Sequence, residues 1–451
     1  MKLLITICRI IVGSLFIVSG LIKVNDAIGF SYKLEEYFSE RALGFPGLIE
    51  YALPIAVFVV VGEVLLGVAM LLGAWPKLSS TLILAMTVFF TWLTFYTSHC
   101  EPTSLAIFQN EAGQYYIESP DCVLTCGCFG DAIKLEPIES FYKDVVLLIF
   151  IIPIFFAAWL GKIKLNSYTD DIIILIVSLI VVAGFSYSML SWMFPVFFTL
   201  ITFGIGILIK KTYSEKQWMM ALGVLLVCVF FQYWTLVHLP IKDYRAYAIG
   251  NNILEKTRSA EELGLEPPRY LNMYSMLDKT TGEVTEVDSE TYLKEKVWEN
   301  KNLEMQKDKT YSKKVSDGYE PPIKDFHPTN MDGEDVLDSL LSYPKVFWMV
   351  CYNLEVANTK HLKEINEFAK KAEANGIKFF AISPSGYDEA EEFRHEHQLG
   401  FPFLINDMTE LKIIVRSNPG LVYLENGVVV NMWSHVDIPN FDKAMDDGFK
   451  P

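Results

Sequence analysis

Seven long apolar runs fill the first half of the chain and constrain its fold more than any other feature. Each is roughly 18 or more residues long, the length that an α-helix needs to cross the hydrocarbon core of a bilayer. From about residue 239 onward the composition is that of a water-soluble protein. The sequence therefore predicts a helical membrane domain followed by a soluble one. The predicted spans are residues 3–23, 52–74, 78–98, 143–161, 171–188, 191–209 and 217–236.

The loops between these runs predict their orientation. One set of loops is short and carries lysines, whereas the other set is longer and acidic. Because basic residues accumulate in cytoplasmic loops, we expect a cytoplasmic N-terminus, with the loop 99–142 and the C-terminal half outside. In a bacterial inner membrane that side is the periplasm, where disulfides persist. The formal net charge of −16 argues against nucleic acid as a partner, which leaves membrane lipid and other proteins.

Four of the seven cysteines fall in the loop 99–142, namely Cys100, Cys122, Cys126 and Cys128. They are compatible with a zinc site, with two structural disulfides, or with a redox-active pair. The spacing lacks the paired C-x2-C knuckles of structural zinc sites, so no metal is expected. Four cysteines allow three disulfide connectivities, and the sequence does not choose between them. A Cys126–Cys128 disulfide would close a very small ring and be easily reduced, which favours redox activity.

Ionisable residues inside the predicted spans are candidates for function, because charge is costly there. Arg9 and Glu63 differ in depth by roughly 9 Å at 1.5 Å per residue, within reach of a long arginine side chain. They are interpreted either as an ion pair that fixes helix register or as proton-handling groups. Cys8 and Cys228 also lie in spans, where we expect them to be packing residues.

Three further polar residues, Lys23, Asp26 and His99, lie at the outer ends of the first and third spans. Each is an ordinary interfacial residue or faces the cysteine loop. A cation beside a thiol favours the thiolate. With Arg9 and Glu63, His99 completes the residues expected to bind a quinone. The aromatic run FFTWLTFY (89–96) is typical of an interfacial belt and can also line a quinone slot.

The strings RIIVGSLFIVSGLIKVNDAIGF, VGEVLLGVAMLLG and CGCFGD resemble the DoxX/MauE family of redox-associated membrane proteins, over roughly residues 4–160. The resemblance implies a four-helix membrane bundle, comparable in architecture to the vitamin K epoxide reductase and DsbB enzymes. It implies disulfide formation in periplasmic proteins or quinone-coupled sulfur oxidation, and roles for Cys126 and Cys128.

The second half begins with a mixed segment. RYLNMYSMLDKTTGEVTEV predicts two strands around a turn at Gly282, and LKEKVWENKNLEMQKDKTYSKK predicts a solvated helix or linker. From about residue 317 strands and helices alternate in the order βαβαββ, ending in a hairpin closed by Asn426-Gly427.

This last region resembles the thioredoxin-like fold of TlpA and peroxiredoxin proteins, with Pro419 at that family's cis-proline position. Cys351 is followed by Tyr-Asn-Leu instead of completing Cys-x-x-Cys, and a lone thiol cannot run a dithiol cycle. We expect Cys351 to be buried or to form a mixed disulfide. The whole chain resembles DoxX-type proteins of Bacteroidetes with this same tail.

Four regions are therefore predicted: a bundle (1–165), additional helices (166–238), a mixed segment (239–316) and a thioredoxin-like domain without CxxC (317–451). The first functional hypothesis is an inner-membrane redox protein that passes electrons from periplasmic thiols to quinone. Cys126 and Cys128 would be its catalytic pair, and Cys100 and Cys122 a shuttle or stabilising pair. The alternative is a non-enzymatic scaffold subunit of an envelope complex, with structural disulfides and a client-binding periplasmic domain.

Overall fold

The computed structural model of the protein describes residues 2–100, 106–109, 115–118, 121–123, 127–213 and 216–446. The chain divides into two compact units, residues 1–236 and 237–451. Among the described residues of its first half, seven helices are long and apolar enough to cross a membrane, which confirms the seven predicted spans of a multi-pass membrane protein. The elements here are α1 (Lys2–Asn25), α2 (Ala27–Phe38), α3 (Ala52–Leu72), α4 (Pro76–Ser98), β1 (Ala106–Gln109), β2 (Tyr115–Glu118), α5 (Pro137–Trp159), α6 (Tyr168–Phe185), α7 (Phe194–Thr212) and α8 (Gln217–Val237), with 3-10 turns at Pro46–Tyr51 and Gly130–Ala132 and a π-helical turn at Ser186–Leu190.

Helix α1 is the centre of the first unit and packs most closely on α3. A Cβ added at Gly13 would lie 2.7 Å from the Leu71 side chain, and one added at Gly67 would lie 2.8 Å from the Gly13 carbonyl oxygen. Such small residues let two membrane helices approach closely. Helices α5 and α6 also pack on α1, and α7 packs on α3. Helix α8 adds Met220, Val224 and Cys228 to the core that α1 and α3 share. The last three spans therefore complete a single bundle with the first four.

The described residues of the second unit form two sheets. A three-stranded antiparallel sheet has the order β4-β3-β5, and a five-stranded mixed sheet has the order β10-β9-β6-β7-β8, in which β6, β7 and β8 are parallel. The elements are α9 (Ile253–Thr257), α10 (Ala260–Leu263), β3 (Arg269–Asp278), β4 (Val284–Asp288), α11 (Ser289–Lys294), β5 (Leu303–Ser316), α12 (Leu337–Ser342), β6 (Lys345–Val350), α13 (Leu362–Ala374), β7 (Lys378–Ser383), α14 (Tyr387–Glu396), β8 (Phe403–Ile405), α15 (Met408–Ile414), β9 (Gly420–Glu425), β10 (Val428–Ser434) and α16 (Phe441–Asp446).

Both faces of the five-stranded sheet are covered, which explains why β6 is apolar at nearly every position. Phe347 and Met349 point into a core shared with α13, α14 and α16. Trp348 points into the opposite core, shared with α12 and α15. Tyr247 and Ile253, which precede the three-stranded sheet in sequence, belong to this second core.

Two predictions for the second half have clear outcomes. The hairpin around Gly282 is confirmed as β3 and β4. The prediction of a helix or linker over the charged stretch that follows was wrong, because residues 303–316 form β5 and pair antiparallel with β3. At its start Leu303 and Met305 alternate with the exposed Glu304, the period-two pattern of a half-exposed strand. Helix α15 was also absent from the predicted βαβαββ order.

Candidate functional site

A buried ion pair joins α1 to α3 inside the first unit. Lys23 Nζ lies 2.5 Å from Glu63 Oε1, and both side chains are only 3–4% exposed. The same ammonium donates to Ser19 Oγ at 3.2 Å and lies 5.4 Å from the ring centroids of Phe30 and Phe90. Aromatic faces attract a cation electrostatically. The carboxylate, the hydroxyl and the two rings together stabilise a charge that burial would otherwise disfavour.

The predicted pairing of Arg9 with Glu63 was therefore wrong. Arg9 donates to the carbonyl oxygens of Met70 and Leu71 and to Asn166 Oδ1, each at 3.0 Å. The last carbonyls of a helix lack partners within it, and Arg9 satisfies them at the end of α3. Lys23 is the partner of Glu63 instead, and it is buried although its position suggested an interfacial residue.

The Lys23–Glu63 pair lines a cavity of about 500 Å³, within the size range of small-molecule sites. Cys128 lines the same cavity. Three lining residues, Tyr142, Val146 and Met189, are 49–61% exposed and form its mouth between α5 and the π-helical turn. The remaining wall is mostly apolar and includes Ile11, Leu15, Phe16, Phe90, Phe129, Ile133, Leu135, Leu147, Phe150 and Phe185.

Asp144 is a second buried carboxylate on this cavity, and sequence reasoning missed it. It is 3% exposed, at the start of the apolar part of α5. Lys143 Nζ lies 2.8 Å from Asp144 Oδ1, and Thr94 Oγ1 donates to Oδ2 at 3.1 Å. Its position one residue inside the predicted span 143–161 was the available signal, because an acidic residue there needs partners.

The loop cysteines are disulfide-bonded where the structure describes them. Cys100 is joined to Cys122 by a disulfide, which selects among the three connectivities. Cys128 is also disulfide-bonded. Cys126, the other cysteine of the predicted pair, lies outside the described residues.

Three further residues singled out from the sequence lie away from the cavity. Cys8 and Cys228 are free, buried and surrounded by apolar side chains, which confirms them as packing residues. His99 is exposed at the end of α4, where its ring lies 4.2 Å from that of Phe95. It is not among the residues that line the cavity.

The second unit places Cys351 and Pro419 on neighbouring segments. Cys351 directly follows β6 with 1% of its surface exposed, and burial raises the pKa of its thiol to about 12. Its Sγ lies 3.7 Å from the carbonyl oxygen of Asn353, which also accepts from Asn418 Nδ2 at 2.7 Å. The Asn418–Pro419 peptide bond is cis. Cys351 is therefore a buried, protonated thiol next to the proline loop.

A histidine network that sequence reasoning missed fixes the same loop. Asn358 Nδ2 lies 3.0 Å from His435 Nε2. Because an amide nitrogen can only donate, Nε2 accepts this hydrogen bond and the neutral ring carries its proton on Nδ1. Nδ1 then donates to Ser417 Oγ at 3.0 Å, and Ser417 donates to the Pro419 carbonyl oxygen at 2.7 Å. Because the imidazole donates to the serine, it is not placed to act as its general base.

Comparison with known proteins points to the membrane part of the chain. Residues 1–102 match the family model described as methylamine utilisation protein MauE. The MauE match spans α1 to α4, and so contains Lys23, Glu63 and Thr94 but ends before Cys128 and Asp144. The chain matches no curated protein and no solved structure.

Proposed function

We propose that this protein is a thiol–quinone oxidoreductase of the bacterial inner membrane. The observation that carries the proposal is that disulfide-bonded Cys128 lines the same mostly apolar cavity as the Lys23–Glu63 pair. A disulfide that lines a cavity of ligand size can pass electrons from client thiols to a small oxidant bound in that cavity. The MauE match supports a redox-associated membrane protein of this kind.

In the proposed reaction Cys126 is the partner of Cys128. A client dithiol attacks this disulfide, and exchange leaves an oxidised client and two reduced cysteines. The two cysteines then give two electrons and two protons to a quinone, which becomes a quinol while the Cys126–Cys128 disulfide re-forms. Cys100 and Cys122 stabilise the loop by their own disulfide or shuttle electrons to the catalytic pair.

The quinone class follows from the mouth of the cavity. Tyr142, Val146 and Met189 are exposed on helical segments that are long and apolar enough to cross a membrane. A quinone with an apolar tail can place its ring in the cavity and leave the tail between α5 and the π-helical turn. The proposal therefore favours a lipid-soluble quinone over a water-soluble oxidant.

The second unit is proposed to lie in the periplasm and to hold the client. Its five-stranded sheet, with Pro419 beside Cys351, supports the resemblance to the thioredoxin-like fold. The lone, buried Cys351 thiol cannot supply a dithiol cycle. That observation also favours the second candidate function, a scaffold subunit of an envelope complex that binds partners without redox chemistry.

Disulfide mapping by mass spectrometry across a graded glutathione buffer separates the two candidates. The redox proposal expects the Cys128 disulfide to open near the periplasmic potential. The Cys100–Cys122 disulfide should open there too if it shuttles electrons, and should resist if it only stabilises the loop. The redox proposal also expects the reduced full-length protein to consume decyl-ubiquinone, and a Cys128→Ser variant to lose that activity. If the Cys128 disulfide resists every buffer and quinone is not consumed, the scaffold function stands instead.

A further inference from the structure

Two lysine–carboxylate pairs flank the cavity, and both lie beside the Cys128 segment. Lys23 and Glu63 form the first pair, on α1 and α3. The second pair is Lys143 and Asp144 on α5, with Nζ 2.8 Å from Oδ1. All four side chains line the cavity. We propose that these pairs carry the two protons that quinone reduction requires, an inference that rests on the proposed function.

The proton balance explains why two relays are needed. Oxidation of two thiols to a disulfide releases two protons, and a quinone takes up two protons as it accepts two electrons. Glu63 and Asp144 are each only 3% exposed, so bulk water does not reach them freely. Protons must then pass between fixed groups that contact both the cysteine segment and the quinone.

Ser19 connects the first pair to the backbone of Cys128. Its Oγ lies 3.0 Å from Glu63 Oε2 and 3.3 Å from the Cys128 carbonyl oxygen, so its single proton can be donated to either acceptor. In the proposed step Glu63 accepts a thiol proton while Lys23 gives a proton to one quinone oxygen. Transfer from Glu63 to Lys23 across their 2.5 Å contact then restores the charged pair.

The second pair contacts the residue that follows Cys128. Lys143 Nζ lies 5.3 Å from the ring centroid of Phe129, and Thr94 Oγ1 donates to Asp144 Oδ2. The carboxylate of Asp144 accepts the second thiol proton and delivers it to the other quinone oxygen. With both relays the two thiol protons end on the quinol, and neither carboxylate changes its charge over one turnover.

The test is a single-turnover reaction of the reduced full-length protein with decyl-ubiquinone, followed by the loss of quinone absorbance over a range of pH. Glu63→Gln and Asp144→Asn should each slow quinone reduction by about 10²-fold, the usual contribution of a general acid or base. Quinone affinity, measured by quenching of tryptophan fluorescence in the oxidised protein, should stay within about twofold of wild type because neither change alters the cavity's shape.

A matched pair of double variants separates proton transfer from folding. Lys23→Met/Glu63→Leu replaces the ion pair on the cavity by apolar side chains, and Lys210→Met/Asp171→Leu does the same to a buried pair that does not line it. We expect the Lys23→Met/Glu63→Leu variant to reduce quinone slowly and the Lys210→Met/Asp171→Leu variant to reduce it at the wild-type rate.

Equal loss of rate in both double variants would overturn the inference, as would single variants with the wild-type rate and pH profile. Failure of the wild-type protein itself to reduce or bind the quinone would instead remove the proposed function.

Discussion

Arg9 Nη2 and Asn166 Oδ1 lie 3.0 Å apart and join the first helix to the chain just before α6. The Asn166 amide also donates to the Leu71 carbonyl oxygen at 2.7 Å and to Asp171 Oδ1 at 3.0 Å. Asp171 in turn pairs with Lys210 on α7. This polar network therefore ties α1 and α3 to α6 and α7, at a distance along α1 from the Lys23–Glu63 pair.

Asn166 is expected to be critical for the stability of the bundle. Asn166→Leu removes one hydrogen bond from Arg9 and one from Asp171, and a hydrogen bond to a charged group contributes about 1.5–3 kcal/mol. We expect the thermal midpoint of the purified protein, followed by helical circular dichroism, to fall accordingly. Lys162→Met, an exposed position in the same loop, should change stability by no more than about 0.5 kcal/mol. Equal effects of the two changes would contradict this role.

The ion pair on the cavity should show strong coupling between its members. Lys23→Met alone leaves the Glu63 charge buried without its partner, which costs about 3–5 kcal/mol in comparable pairs. Adding Glu63→Leu removes that charge and should recover most of the loss. Thermal unfolding of wild type, both single variants and the double variant measures the coupling as a double-mutant cycle. A double variant that loses the sum of both single effects would mean that the two side chains act independently.

The sequence predicts the spans well because bilayer thickness dictates their length. The sequence could not predict which charged side chains form pairs, because the pairing depends on the register of α1 against α3. Gly13 lies against Gly67, and a Cβ at Gly20 would lie 2.7 Å from Val64. This antiparallel register carries Arg9 to the far end of α3. The depth of a residue counted along one helix does not reveal which residue of a neighbouring helix lies opposite it.

The candidate site was only partly predictable for the same reason. Cysteine spacing drew attention to Cys128, and charge inside a span drew attention to Glu63. Ser19 carries no such signal, because a serine in an apolar helix most often bonds to its own backbone. Its role is visible only once Glu63 and the Cys128 carbonyl lie on either side of it.

The Cys351 thiol should be unreactive in the folded protein. Its raised pKa leaves about a thousand-fold less thiolate at neutral pH than an ordinary cysteine has, and the thiolate is the reactive form. We expect iodoacetamide at about pH 8 to label Cys351 only after denaturation, as peptide mass spectrometry would detect. Cys351→Ala should leave quinone reduction unchanged. Rapid labelling of the native protein would instead assign this thiol to the exchange chemistry.

The loop that contains Pro419 should loosen in acid through His435. Burial is the main cause that lowers the pKa of His435. The nearby His361 and Lys360 lower this pKa further, whereas Asp437 raises it. The unfolded chain therefore binds a proton near pH 6.5 that the folded chain does not yet bind. The stability contributed by neutral His435 is then complete above about pH 6.5 and is lost as the pH falls through the lower pKa of the folded state.

Hydrogen exchange of β9 and β10 measures this dependence within the full-length protein. Protection of both strands should decrease from about pH 7.5 to about pH 5, after correction for the intrinsic pH dependence of exchange. His435→Gln keeps a side chain that can bond to Ser417 and Asn358 but does not titrate, so its protection should depend less on pH. The His327→Gln variant is the matched control, because His327 is exposed and pairs with Asp335 in a different part of the unit. The network of Asn358, His435 and Ser417 stabilises the loop only while the imidazole is neutral. If the His435→Gln variant kept the pH profile of the wild type, other groups would be responsible for the acid response.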